Sequence, residues 1–342
     1  MIPSLSAGVF RYSRRFIALA SMMLLLAMGV AQAEPTVDLK IMSFNIRYDD
    51  GNILSKNGWY SLVDETGGRR LRAMAVIDTF GPDILGVQEM LPLQYTDLTT
   101  TAPLAGFGYF GQGRNGGDVG ERCGIFYRSS RFTALDEGDF WLSSTPTVPG
   151  TTFTGGGSDT GNPRMANWLI LYDNQSLQSY FVLNTHWSLD SQARNLSGNL
   201  IRDQIKELAG DLPLIVLGDF NTTLGSTALN NLTGVNDPTG FHLTDAYRSV
   251  YPTVGSNEAT FHNFTGNTSG SSIDHIFYSA DTFTATSAEI VHTSFPTNLY
   301  PSDHFPLTAT LQVTVVPEVS SVVLLTVGMA GLFVLHKRTC HR

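Results

Sequence analysis

The run Leu214-Ile215-Val216-Leu217-Gly218-Asp219-Phe220-Asn221 sets a carboxylate and a carboxamide just behind four apolar residues. Residues two apart share one side of an extended chain, so Asp219 and Asn221 face the same way if the strand conformation continues. A carboxylate placed there can take a proton from an attacking water, and the amide can donate to a phosphoryl oxygen. The plainer alternative is an Asx-type turn that closes the strand. Two more acidic segments follow, Ser272-Ile273-Asp274-His275-Ile276 and Ser302-Asp303-His304-Phe305-Pro306. Adjacent Asp303 and His304 point to opposite sides of an extended chain and can serve different parts of one cleft.

Asn45, Glu89 and His186 repeat the pattern, each following an apolar, strand-like run by one or two residues. Singly, each has a structural explanation: a turn cap for Asn45, a surface carboxylate for Glu89, a hydrogen-bonded core histidine for His186. Together they place carboxylate, amide and imidazole groups at the rim of a sheet, where rigid strand ends hold catalytic groups.

The elements that must position these groups are legible from patterning. Val37, Leu39 and Ile41 alternate with polar neighbours ahead of Asn45. Continuous apolar runs at Asp83 to Val87, Trp168 to Leu171, Tyr180 to Leu183 and Leu214 to Leu217 have the length and branching of buried strands. Helical spacing occurs at Leu71, Met74, Ala75 and Phe80, and at Leu196, Leu200, Ile201, Ile205 and Leu208 before Gly210. Segments Gly111 to Gly120 and Thr147 to Asn162, rich in Gly, Thr, Ser and Pro, read as surface loops inside one domain. No repeat or linker-like charge run divides the chain, and strands interrupted by a few helices predict an α+β layered domain.

The two ends are of another kind. Residues 1–33 carry Arg11, Arg14 and Arg15, an apolar run from Phe16 to Val30, and the exit Ala31-Gln32-Ala33, the pattern of a cleaved secretory signal peptide. Losing three arginines and no acids takes the net charge from -9 to -12. An acidic chain has little non-specific attraction for nucleic acid, although a local basic or metal-bearing cleft is compatible with it. Within the tail, residues 316–342, the uncharged run Val319 to Leu335 is followed by Lys337, Arg338 and Arg342, as in a short membrane span with a basic flank. Only Cys123 and Cys340 are present, so neither a disulfide framework nor a thiolate zinc site can hold the domain.

Six segments in one order carry a resemblance to the endonuclease/exonuclease/phosphatase superfamily. They are Ser43-Phe44-Asn45-Ile46-Arg47, Asp83 to Glu89, Asn184-Thr185-His186, Gly218-Asp219-Phe220-Asn221, Ile273-Asp274 and Ser302-Asp303-His304. Phe140-Trp141-Leu142-Ser143 with Pro163-Arg164-Met165-Ala166-Asn167-Trp168 is similar to small bacterial members. Trp187-Ser188-Leu189-Asp190 departs from the subgroup's usual sequence after the histidine, so the lip of the cleft differs there. Val316-Pro317-Glu318, the apolar span and the basic end resemble a PEP-CTERM sorting signal, which an exosortase removes, although the usual second proline is absent.

The resemblance implies a four-layer α-β-β-α sandwich of two mainly antiparallel sheets flanked by helices over residues 34–315. It implies Mg²⁺ or Mn²⁺ on Glu89, with Asn45 close by and Asp303 on the opposite wall. Asp219 becomes base or orienter of a water, and Asn221 and His186 become donors to phosphoryl oxygens. Asp274 orients His186 or Asn221, while His304 positions the phosphate or acts with Asp219. Arg164 supplies fixed positive charge for a phosphate or forms a structural salt bridge. The implied protein is an exported, membrane-tethered, monomeric phosphoesterase whose substrate is a nucleic acid, nucleotide, lipid head group or sugar phosphate. A non-catalytic surface module on the same fold is the alternative.

Overall fold

Consecutive residues of the buried strands pack on opposite faces, which explains their uninterrupted apolar runs. Ile41, Ile84 and Ile215 enter an apolar cluster shared with Leu169, Val182 and Ile276, whereas their neighbours Met42, Leu85 and Val216 enter two other clusters. Those outer clusters hold the helices. The computed structural model describes residues 34–100, 103–153, 161–235, 237–296 and 298–316, and the expected signal peptide and apolar tail segment lie outside them.

Strands β1 (Thr36–Asn45), β2 (Ile84–Met90), β3 (Phe107–Phe110), β4 (Arg122–Arg128), β11 (Phe283–Ile290) and β12 (Leu307–Thr314) form one sheet in the order β11-β12-β1-β2-β4-β3. The second sheet has the order β5-β6-β7-β8-β10-β9, from β5 (Phe132–Trp141), β6 (Met165–Asp173), β7 (Gln178–His186), β8 (Leu214–Asp219), β9 (Thr244–Asp245) and β10 (Asp274–Tyr278). Among the described strands, β1–β2 and β7–β8 pair in parallel and the other strand pairings are antiparallel.

Helix α1 (Arg69–Phe80) packs Ala73, Val76 and Ile77 on the outer face of the first sheet, joined there by Leu98 of α2 (Pro92–Thr100). On the outer face of the second lie Ile201 and Ile205 of α3 (Ser191–Leu208) and Leu229 and Leu232 of α4 (Thr227–Thr233). The short helix α5 (Ala246–Val250) adds Ala246 to the cluster between the sheets. The four-layer sandwich expected from the sequence is present. Among the described residues, no helix is long and apolar enough to cross a membrane.

The faces of two helices differ from the expected ones. In α1, Leu71 is exposed, while Arg69 and Arg72 are buried. Their guanidiniums satisfy carbonyls of the loops around the cleft, and Arg72 also pairs with buried Asp64. Arg69 donates to Ile46 O at 2.7 Å and Tyr48 O at 3.1 Å, and Arg72 to Tyr300 O at 3.0 Å. In α3, Leu196 is exposed and small Ser197 and Gly198 are buried, because α4 packs closely against this helix. A Cβ on Gly198 would lie 2.2 Å from Ala228 O.

Register fixes where the chemistry can be. Thr36 pairs with Thr314 and Ser43 with Leu307, so Asn45 and the residues just ahead of β12 share one end of the sheet. The described chain termini lie at the other end. Behind that functional edge a buried amide ties the sheets together. Asn184 of β7 donates to Val87 O at 2.9 Å and Gly124 O at 2.8 Å, and its oxygen accepts from Gln88 Nε2 at 2.7 Å. Gly86 makes room for it, since a Cβ there would come within 2.9 Å of Asn184 Cγ. Replacing Asn184 with Leu strands these partners in an apolar setting. Asn184→Leu is therefore expected to lose about 2–4 kcal/mol of unfolding free energy in a denaturant titration; an unchanged midpoint would show that the inter-sheet amide carries no stability.

Candidate active site

Each sequence-predicted residue sits where a strand ends or is about to begin, and the backbone is bent there to aim it. β2 slips register between Val87 and Met90, and Glu89 in the bulge adopts φ 60°. Arg47 and Asn221 also take left-handed φ values, 57° and 50°. Such conformations in non-glycine residues persist only where surrounding contacts enforce them, and they gather at functional sites. Gly218 has no substitute: its φ is 151°, and a Cβ would lie 2.1 Å from Thr185 O on the parallel neighbour β7.

The strand conformation does not continue past Asp219. Asn221 N–H donates back to Asp219 Oδ1 at 2.9 Å, the Asx-type turn offered above as the plainer alternative. The turn nevertheless leaves both residues lining the cleft. One amide hydrogen of Asn221 goes to Trp187 O at 3.0 Å. An amide has a second N–H, and that one remains to serve a ligand.

Asp219 is the point of convergence. Its Oδ2 accepts from Asn45 Nδ2 at 3.0 Å and lies 3.4 Å from His186 Nε2 and 3.7 Å from His304 Nε2. The other nitrogen of His304, Nδ1, is 2.9 Å from Asp274 Oδ2. Asp274 thus orients His304, not His186 or Asn221 as the sequence suggested. Thr260 Oγ1 accepts from the Ile273 and Asp274 N–H groups at 3.1 and 3.2 Å, and Phe305 N–H donates to Thr260 O at 2.7 Å, fixing the pair.

Burial governs the protonation of this group. Desolvation and then the charge of Asp274 raise Asp219 to about 7, against His304, Asn45 and the Asn221 N–H. For His304, burial favours the neutral ring, but Asp274 and Asp219 together outweigh it and raise the imidazole to about 10. His186 is held well below the ordinary histidine value by burial, then by Arg164, His304 and Arg114. The site thus contains a cationic and a neutral imidazole on either side of one carboxylate poised near neutrality.

Beside it lies a group of hard oxygen donors. Asn45 Nδ2 donates to Glu89 Oε1 at 3.1 Å. Glu89 Oε2 and Asp303 Oδ2 are both within ion-pair reach of the Arg47 side chain, at 3.5 and 3.7 Å. Two carboxylates around one position already filled by a cation, with the Asn45 amide oxygen nearby on the Arg47 N–H, suit a divalent ion that prefers oxygen. Asp219, Asp274 and His304 also bring ligand atoms within 4.8 Å of one another. That trio uses opposite nitrogens of one ring, the arrangement of a proton relay, with Nδ1 of His304 on Asp274 and Nε2 toward Asp219.

The cleft has a volume of about 800 Å³ and includes Arg164, as the sequence suggested, beside His186. It also includes residues that had no assigned role: Arg47, Tyr48, Arg114, Glu121 and Phe261. Arg114 and Glu121 come from a glycine-rich loop whose composition hid them, and they pair at 2.9 Å. Burial, partly offset by Arg114, raises Glu121. Phe261 stands with its ring 5.1 Å from that of His304. The departure after His186 has a local cause: Asp190 caps α3 through the Ala193 N–H at 2.8 Å, and Arg194 holds Leu189 O at 2.7 Å, so Leu189 forms a fixed lip.

Residues 42–304 match the sequence profile of the Endonuclease/Exonuclease/phosphatase family, and the chain belongs to that family. It is similar to the endonuclease/exonuclease/phosphatase from Bacteroides vulgatus, with 30% identity over 81% of this chain and 99% of that one and a TM-score of 0.67. A mannosyl-6-phosphatase from Bacteroides thetaiotaomicron is 28% identical over 80% of this chain and 99% of its own, with a TM-score of 0.66. The human nocturnin catalytic domain with bound sulfate, 20% identical with a TM-score of 0.58 over 82% of this chain and 98% of its own, shares the fold. None of the curated proteins compared matches the chain.

The paired His304 is open to a direct test. Because its folded-state value is raised, its stabilisation is complete below about pH 6.5, the unfolded value, and is lost as pH rises through about 10. Imidazole nitrogen NMR of the metal-free protein is expected to show His304 doubly protonated at about pH 8 and His186 neutral. Asp274→Asn is expected to move the His304 transition down by at least about one unit. A His304 that titrates like a solvent histidine in the native protein would remove the relay.

Proposed function

We propose that the chain is a divalent-metal-dependent phosphoester hydrolase whose preferred substrates are small phosphomonoesters of the sugar phosphate kind. The observation that carries the hydrolase reading is the convergence of Asn45, His186 and His304 on Asp219 Oδ2 beside the Asn45–Glu89–Asp303 oxygen group. A water in hydrogen-bond reach of Asp219 gives up its proton to a carboxylate whose raised affinity matches neutral pH. His304, kept cationic by Asp274, neutralises charge gathering on the phosphoryl group, and Asn221 and neutral His186 donate to its non-bridging oxygens. Arg164 and Arg114 add positive charge on the His186 side. Asn45, Glu89 and Asp303 would hold Mg²⁺ or Mn²⁺, whose chemistry is to polarise a phosphoryl oxygen and stabilise the leaving oxygen.

The preference for small monoesters rests on two supports. A net charge of -9 gives little attraction for polyanionic nucleic acid. The similar protein from Bacteroides thetaiotaomicron is named a mannosyl-6-phosphatase. A screen of hexose 6-phosphates, nucleotides, single-stranded DNA and phosphorylcholine esters tests it, with release of inorganic phosphate from hexose phosphates expected to be fastest. DNA as the best substrate would overturn the monoester reading and leave the hydrolase reading standing. No turnover of any phosphoester would favour the surface-binding module.

Chelation is expected to abolish turnover and Mg²⁺ or Mn²⁺ to restore it; full activity after exhaustive chelation would end the metal-dependent mechanism. Asp219→Asn keeps the acceptor for Asn45 and loses the base, so kcat is expected to fall by about a hundredfold or more with KM little changed.

Export belongs to the same proposal, supported by the character of residues 1–33 and 316–342. The described termini lie at the sheet end opposite Asn45. Fractionation is expected to find the processed domain in the envelope or medium; uncleaved protein in the cytoplasm would refute export.

A further inference from the structure

Arg47 belongs to the Ser43-Phe44-Asn45-Ile46-Arg47 segment, yet no step above uses it. It contacts all three residues of the oxygen group. Its backbone N–H donates to Asn45 Oδ1 at 3.0 Å. Its Nη1 lies 3.5 Å from Glu89 Oε2 and its Nε 3.7 Å from Asp303 Oδ2. The backbone is pinned, with φ 57° and the carbonyl held by Gln94 Nε2 at 2.8 Å and by Arg69 Nη2 at 3.3 Å. The side chain is not pinned in the same way. It is one-third exposed, lies over the Tyr48 ring at 4.0 Å, and lines the cleft.

Glu89 and Asp303 would repel each other without a cation, and a guanidinium stays charged at every relevant pH. Its contacts to them are long for charge-assisted hydrogen bonds, so they hold the carboxylates in place without closing on them. A hard divalent ion would seek the same oxygens. Resting on the metal-dependent reading above, we propose that Arg47 is the resident counter-ion of the Asn45–Glu89–Asp303 group. A divalent cation must displace its side chain, which then turns to the phosphate of the substrate in the same cleft. The pinned backbone keeps Asn45 Oδ1 aimed throughout, so the exchange moves one side chain. Two consequences separate this role from simple support of the site. Arg47 weakens metal binding, and an anion that gives the guanidinium another partner strengthens it, since coupling between two ligands is reciprocal.

The test is calorimetric titration of Mn²⁺ into the full chain, as wild type, Arg47→Met and Arg47→Lys, with thermal unfolding run alongside. Arg47→Met keeps the stem and removes the charge, and is expected to bind Mn²⁺ about fivefold more tightly, the equivalent of two partly exposed ion pairs. Arg47→Lys keeps the charge without the fork and is expected to fall between the two. Inorganic phosphate at saturating concentration is expected to tighten Mn²⁺ binding to wild type and to do so less in Arg47→Met. Equal or weaker binding by a folded Arg47→Met overturns the counter-ion role, as does a phosphate effect that survives the substitution intact. If Arg47→Met does not fold, an Arg47→Lys affinity equal to or below that of wild type overturns it. Wild type that binds no Mn²⁺ at all, or binds it unchanged after Glu89→Gln, strikes the metal-dependent reading itself.

Discussion

Asp219 and Asp274 are both buried, and they approach the same imidazole from its two sides, with Glu89 and Asp303 a short distance away. Burying carboxylates together is costly unless each has a donor or a cation, because water no longer screens their repulsion. Much of the surrounding structure can be understood as meeting that requirement. His304 sits between two of the carboxylates, Asn45 links Asp219 to Glu89, and Arg47 spans Glu89 and Asp303. The cluster is therefore a demanding electrostatic problem that the fold must solve.

The solution is distributed over chain segments far apart in sequence. β1, β2, β7, β8 and β10 deliver their polar residues to one edge, and the segment before β12 returns to the same place. Loops would be too soft to hold such a set, so buried arginines brace them. Arg69 and Arg72 extend from the first turns of α1 to carbonyls of the segments that carry Arg47 and Asp303. Burial lowers Arg69 to about 10, still far above neutrality, so it serves as a fixed charge whose hydrogens are taken by backbone oxygens. On the other side, His262 and Asn263 donate backbone N–H groups to Asp303 O at 2.8 and 3.1 Å, tying a loop that begins at Thr260 to the same corner.

Three of the strained residues share a location. Arg47, Glu89 and Asn221 occupy left-handed conformations, each within two residues of a strand end at the cleft. A regular strand would send these side chains alternately to the two faces of the sheet, into apolar layers. The local reversals turn them along the sheet edge and into the cleft. The cost of such conformations, about 1–3 kcal/mol each, is offset by contacts that also define the site: Asn45 Oδ1 for Arg47, Asp219 Oδ1 for Asn221, and the Tyr48 N–H for Glu89.

The amino-acid sequence by itself determined a great deal here. Apolar runs located β2, β6, β7 and β8, because a strand covered on both faces must be apolar throughout, and alternation located β1. The polar residues at the strand ends, among them Glu89, His186 and Asp219, were picked out by the same pattern, and the fold gathers them in one cleft. Tertiary structure alone decided how those residues pair. Asp274 and His304 are 30 residues apart, and nothing local says that they meet, so the sequence left Asp274 with the wrong partner. The inner face of α1 was misread because Arg69 and Arg72 are buried polar residues whose partners lie on other segments, and periodicity counts only apolar ones. Arg47, Arg114 and Glu121 were unremarkable as letters in a strand exit and a glycine-rich loop. They became parts of a site only when folding brought them to the same cleft, where charge is decided by neighbours in space.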